Sequence, residues 1–232
     1  MGALAPPDGF QVKQGAARFS RMKLIIGDKR WSTWSMRPWL ALKRAGAEFE
    51  EVHVPLRQQE ATAAAIAAAG SPSGQIPVLI DGDLVVHDSL AICEYLAERF
   101  PDAQLWPADP ARRALARAAA AEMHAGFMPV RRDLSMDIGQ RHEVEIGDET
   151  AAAIARIVSR WRSMIGRFGG PFLAGDWSLA DAFFTPVATR FVTYGIDLGS
   201  YGDDDGVAAA YRDLLLAQPD YLEWECGALA EA

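Results

Sequence analysis

From Met22 onward the chain mixes short apolar runs with longer amphipathic stretches, and the two periods separate strands from helices. Met22-Lys23-Leu24-Ile25-Ile26-Gly27 is an apolar run closed by glycine and reads as a buried strand. A polar turn leads into a helix from about Ser35 to Ala45, closed by Gly46. Phe49 to Val54 has partly alternating polarity and reads as a second strand, parallel to the first through the intervening helix. Ala61 to Ala69 is alanine-rich and helical, stopped by Gly70-Ser71-Pro72-Ser73-Gly74. Ile76 to Ile80 and Leu84 to Val86 flank Asp81-Gly82-Asp83, which supplies the backbone of a tight hairpin turn. Asp88 or Ser89 then caps a helix through about Phe100.

That order, strand-helix-strand-helix-strand-strand-helix, joins a βαβ unit to a ββα unit and predicts a thioredoxin-like domain over residues 22–101. The composition changes after Pro101. Residues 102–108 form a rigid, proline-studded linker, and residues 109–232 read as an all-helical domain, giving an α/β plus all-α fold. Asp109 caps a helix with Pro110 at its first position. Further helices span about Thr150 to Phe168, from Ser178 (a capping motif with Asp181 at its third position), Val207 to Ala217 and Asp220 to Ala230. Pro129 and Pro186 fall inside helical patterns, where kinks are expected. Residues 1–21 carry no periodic pattern and no signal-peptide run, and read as a flexible extension.

Composition narrows the function. Among 232 residues, a net charge of -8 without a lysine/arginine block argues against a nucleic-acid partner. No apolar run is long enough for a membrane span, and the expected location is cytoplasmic. The two cysteines are too few for a disulfide framework or a zinc knuckle. Cys93 and Cys226 each sit in an apolar helical stretch and read as free buried thiols. The four histidines lack metal-ligand spacing, so no metal is expected.

Three separated segments carry candidate chemistry, each with a structural alternative. Ser32, Thr33 and Ser35 lie at or before a helix start, where they either cap it or help hold an anion at its N–H groups. In Gly74-Gln75-Ile76-Pro77-Val78, proline marks a strand start or a cis turn; a cis turn would leave the Ile76 backbone open to an extended peptide. Asp88 and Ser89 either cap their helix or hold an amino-acid moiety bearing both a carboxylate and an ammonium. Downstream, Met123, His124, Phe127, Met128 and Arg131 fall close to one helical face. They read either as interface core with charged tips or as the wall of a pocket.

The Gln-Ile-Pro-Val turn, the Asp-Ser-Leu-Ala-Ile-Cys-Glu-Tyr-Leu helix and the Phe-Leu-Ala-Gly-Asp-Trp-Ser-Leu-Ala-Asp-Ala segment at Phe172 to Ala182 together resemble the glutathione S-transferase superfamily from Met22 to the end. The Ser-Thr-Trp-Ser start is similar to serine-type members such as the zeta class, with Trp34 where zeta members carry cysteine. The resemblance implies glutathione as co-substrate, with Ser32 as the hydroxyl that stabilises its thiolate. It further implies a glutathione site of Thr33, Trp34, Gln75, Ile76, Pro77, Asp88 and Ser89. An electrophile would sit by Met123, His124, Phe127, Met128 and Arg131, and the protein would be a homodimer. The expected activity is addition of glutathione to a small, partly apolar electrophile, as in detoxification. A zeta-like isomerase and a non-catalytic assembly module are the alternatives.

Overall fold

The computed structural model describes residues 22–231, and the extension expected over residues 1–21 lies outside the described residues. Strands β1 (Met22–Gly27), β2 (Phe49–Val54), β3 (Val78–Asp81) and β4 (Leu84–His87) form one mixed sheet in the order β2-β1-β3-β4. β1 and β2 are parallel and joined through α1 (Thr33–Arg44), because a parallel pair needs a crossover. β3 is antiparallel to both β1 and β4. Its turn into β4 uses Gly82 at φ 61°, a conformation that glycine adopts without steric cost. With α2 (Glu60–Ala68) and α3 (Ser89–Arg99) this half is thioredoxin-like.

Alternation along β1 splits its side chains between two faces. Ile25 joins Val54, Ile66 and Val78 in a small cluster that includes α2. Leu24 and Ile26 join a core that continues through Met36 and Trp39 of α1 into the helical half. That half comprises α4 (Pro110–Ala125), α5 (Met128–Asp133), α6 (Asp148–Phe168), α7 (Leu179–Thr193), α8 (Val207–Leu216) and α9 (Pro219–Ala230). Among the described residues, no helix is long and apolar enough to cross a membrane.

Several expectations need correction. Ser32, rather than Ser35, ends the loop before α1, because its hydroxyl accepts from the Ser35 N–H and the helix starts at Thr33. β3 starts at Val78, two residues late, since Pro77 has no N–H to give a ladder. The continuous helix expected through Arg131 is broken. A Cβ on Gly126 would lie 2.7 Å from the Glu122 carbonyl, and Phe127 turns left-handed at φ 57°. Pro129 therefore stands in the first turn of a new helix, where its missing N–H costs nothing, and not at a kink. In the proline-studded segment before α4, Leu105 and Trp106 are buried, and the Leu105 carbonyl accepts from Leu179 N–H at 2.9 Å. Cys93 is buried as expected, whereas Cys226 is exposed, since α9 buries its Tyr221, Trp224 and Ala228 stripe instead.

α9 packs back onto the first half. Trp224 meets Trp39 edge-on and donates from Nε1 to the Lys29 carbonyl at 2.9 Å. The Glu231 carboxylate accepts from the N–H groups of Lys29 and Arg30, and His53 Nε2 lies 2.8 Å from it. The loop that precedes α1 is thus held from the far end of the chain. Glu231→Ala should accelerate amide hydrogen exchange at Lys29 and Arg30 while leaving β3 protected; unchanged exchange there would remove the latch.

α7, nearly all buried, starts at a capping box in which Ser178 and Asp181 each satisfy the other's end of the turn. Asp181 also accepts from Leu173 N–H at 3.1 Å and from the Tyr211 hydroxyl at 2.8 Å. Burial pushes its carboxyl up to about 6 against the pull of these donors. Asp181→Asn, which turns an NH₂ toward donors, should cost about 2–3 kcal/mol in urea unfolding, and Tyr211→Phe about 1 kcal/mol. Equal, negligible losses would show that α7 is held by packing alone.

Candidate functional site

A cavity of about 380 Å³ opens along the β3 side of the sheet, within the usual size for small-ligand pockets. Four chain segments converge on it: Trp34 of α1, Ile66 of α2, the Ser73–Pro77 loop before β3, and the His87–Ser89 junction between β4 and α3. The loop is shaped locally. Ser71 Oγ accepts from Gln75 N–H at 3.1 Å and donates to the Gln75 carbonyl at 2.5 Å. The Ile76–Pro77 peptide is cis. Among the described residues, neither the N–H nor the C=O of Ile76 has a hydrogen-bond partner, so this cavity wall offers an open stretch of backbone.

Across the cavity, Asp88 holds φ 72°, a conformation rare for a non-glycine residue and typical of functional sites. Its Oδ1 caps α3 by accepting from Leu90 N–H at 2.8 Å. The carboxylate remains half-exposed, while Ser89 is buried beside it. A carboxylate, a hydroxyl and the first N–H groups of an 11-residue helix thus meet within a few atoms.

At the β1–α1 end, Ser32 and Thr33 are only 6% and 5% exposed, and neither forms part of the cavity wall. Ser32 Oγ lies 2.7 Å from Ser35 Oγ, which accepts from the Gly27 N–H at 3.2 Å. Two residues after Ser32 the same helix sends Trp34 into the wall. Trp39, by contrast, is core, its indole N–H donating to Glu51 at 2.6 Å.

The five residues expected on one helical face divide. Met123 is core, Phe127 is nearly buried under Arg156, and Met128 is exposed. His124 and Arg131 do converge on Trp34: the imidazole meets the indole edge-on at 5.1 Å and the guanidinium lies 4.8 Å from the ring centre. Arg131 also closes the C-terminal end of α4, donating to the carbonyls of Met123, His124 and Gly126, and burial lowers its pKa. Sequence reasoning passed over Arg37, the fully buried cation between the Trp34 and Phe183 rings. The available signal was a lone charge among Met36, Pro38, Trp39 and Leu40. Burial first, then Arg131 and Arg190, pull its pKa down to about 9.

The arrangement suits an extended peptide carrying an amino-acid head group, and comparison with known proteins points the same way. Residues 31–99 match the family model described as glutathione S-transferase, N-terminal domain. Glutathione S-transferase 1 of Dianthus caryophyllus is 30% identical over 188 residues, covering 78% of this chain and 82% of that protein. Maleylacetoacetate isomerase of Rattus norvegicus is 29% identical, covering 73% and 77%. A solved glutathione transferase homolog from Burkholderia, with bound glutathione, superposes at a TM-score of 0.67 with 24% identity, covering 91% of this chain and 100% of its own. The likeness runs through both halves, so this chain belongs to the glutathione S-transferase family.

Proposed function

We propose that the chain binds glutathione in this cavity and adds its sulfur to a small electrophile. The observation that carries the reading is the unpartnered Ile76 backbone facing Asp88 and Ser89 across a cavity of tripeptide scale. The cysteinyl unit pairs with Ile76, as an added strand pairs with a sheet edge. The γ-glutamyl ammonium meets the Asp88 carboxylate, and its carboxylate meets Ser89 and the N–H groups that open α3. Gln75 and Trp34 border the peptide.

The sulfur then lies toward the start of α1. A thiol with a pKa near 8.5 is about 3% ionised at pH 7, and lowering that pKa by ~2 units takes about 2.7 kcal/mol. A hydrogen bond to a charged acceptor contributes about 1.5–3 kcal/mol, and a helix N-terminus about 0.3–1 kcal/mol more. Ser32 and α1 together suffice, without a metal or a general base. The Ser32 hydroxyl donates to Ser35 Oγ, which also accepts from the Gly27 N–H. As Ser32 turns its proton toward sulfur, the Ser35 hydroxyl donates to Ser32 Oγ in its place and completes a donor chain. The thiol proton leaves to water. The thiolate attacks the electrophilic carbon, forming the C–S bond as the π pair of the attacked double bond shifts onto its far atom, which takes a proton from water.

The electrophile approaches from the α4–α5 side, where His124 and Arg131 border Trp34. A glutathione-dependent isomerase is the second reading, favoured by the rat relative and opposed by Trp34 at the place of the zeta cysteine. Two copies of the chain would assemble as a dimer, in keeping with the family.

Ser32→Ala should raise the pKa of the bound thiol by about 1–2 units, followed by thiolate absorbance, and lower kcat/KM about 10- to 100-fold with little change in glutathione affinity. Ser35→Ala should shift it less, in the same direction. An unchanged titration in Ser32→Ala would transfer the role to another group, and absence of glutathione binding by the wild type would leave only the assembly module.

A further inference from the structure

The head-group anchor of the cavity is not built by the thioredoxin-like half alone. Arg37 Nη1 lies 3.4 Å from Ser89 Oγ and 3.4 Å from Nδ1 of His124, and the other ring nitrogen of His124 lies 3.3 Å from Asp88 Oδ2. Ser89, Arg37, His124 and Asp88 therefore form a closed circuit from α3 through α1 to α4 and back. The chemistry of the circuit assigns the tautomer. A guanidinium offers donors and no acceptor, so Nδ1 of His124 accepts and Nε2 carries the proton, facing the carboxylate. Arg37 cannot leave the circuit cheaply: it is fully buried, Nε and Nη2 have no hydrogen-bond partner among the described residues, and it is packed between Trp34 and Phe183 at 4.3 and 4.7 Å.

We propose that His124, as a neutral imidazole, is a positioning residue for glutathione: it fixes the Asp88 carboxylate toward the γ-glutamyl ammonium, so that the anchor is complete only when the helical half is docked. This rests on the reading above, in which Asp88 and Ser89 take the γ-glutamyl end. It moves His124 from the electrophile's side of the cleft to the co-substrate's.

The circuit carries a pH dependence. The charged groups facing His124 are Arg37 from α1, Asp88 at the start of α3 and Arg131 from α5; Trp34 and Phe183 are its uncharged neighbours. Burial foremost, and the two guanidiniums, hold its pKa below the ordinary value, with Asp88 opposing. A second proton would place an N–H on Nδ1 against the Arg37 donor. It would also set an imidazolium against Asp88 in competition with the ligand's ammonium. Bound ligand therefore favours the neutral ring, and affinity falls as pH drops through the imidazole's range. Between about pH 5 and 7 glutathione keeps its own charges, so the dependence belongs to the protein.

The test is calorimetric binding of glutathione, and of its glutaryl analogue lacking the ammonium, to wild type, His124→Phe, His124→Gln and Asp88→Asn. His124→Phe keeps the aromatic packing and should weaken glutathione about tenfold, as expected for losing a hydrogen bond to a charged group, and the analogue less than threefold. His124→Gln, which can present an amide N–H to Asp88, should recover most of the loss. In turnover, KM for glutathione should move more than kcat. The wild-type dissociation constant should rise from pH 7 to pH 5, and His124→Gln should flatten that rise although His87 remains on the cavity wall. Wild-type-like binding by His124→Phe, equal loss for both ligands, or the same pH slope in His124→Gln would each overturn the proposal. If Asp88→Asn weakens glutathione in those cases, the anchor itself stands and His124 alone is excluded. If Asp88→Asn binds normally, the anchor reading fails first. Should His124→Phe not fold, the Gln variant and its pH profile decide.

Discussion

Arg37 carries its positive charge into the seam between the two halves, and among the described residues two aromatic faces stand in place of a carboxylate salt bridge. A charge taken out of water is costly unless its surroundings are polarised toward it. Here the compensation comes from ring quadrupoles on α1 and α7, from Ser89 on α3 and from His124 on α4. Trp34 and Ser89 share the half that carries Arg37, whereas Phe183 and His124 come from the other, so separating the halves would strip the guanidinium of half its compensation. The interface is therefore more than apolar contact: it aligns the start of α3 with the end of α4, and the cavity lies along that line.

A similar logic governs the β1–α1 loop. Its serines are buried in a short hydrogen-bonded chain, and its backbone is held by Glu231 and Trp224 of the last helix. Lys29 lies over the Trp39 and Trp224 rings, and a Cβ on Gly227 would come 2.7 Å from its Cδ, so that glycine makes room for the lysine stem. A hydroxyl positioned to such precision loses little entropy on meeting a ligand, which is how a modest donor becomes an effective stabiliser of negative charge.

Much of the fold was legible because local signals agreed with tertiary needs. The Asp-Gly turn, the glycine stops and the Asp109-Pro110 and Ser178–Asp181 caps each dictate backbone geometry within a few residues, and the structure uses them there. The misreadings arose where backbone conformation or the choice of buried helix face, rather than residue type, decided. Gly126 and Phe127 break a helix that composition alone would continue, and Cys226 faces outward because Trp224 and Ala228 occupy the inner stripe of α9.

By itself, then, the sequence determined most of the elements and their order, and it offered Gln75-Ile76-Pro77 and the polar pair Asp88-Ser89 as candidates, since those are properties of adjacent residues. Only the tertiary structure decided that Arg37 is buried, that His124 turns toward Asp88 while Met123 and Met128 turn elsewhere, and that Glu231 reaches the first loop. Those contacts join residues dozens to hundreds of positions apart. Their energies depend on burial and orientation, which no local pattern of residues encodes.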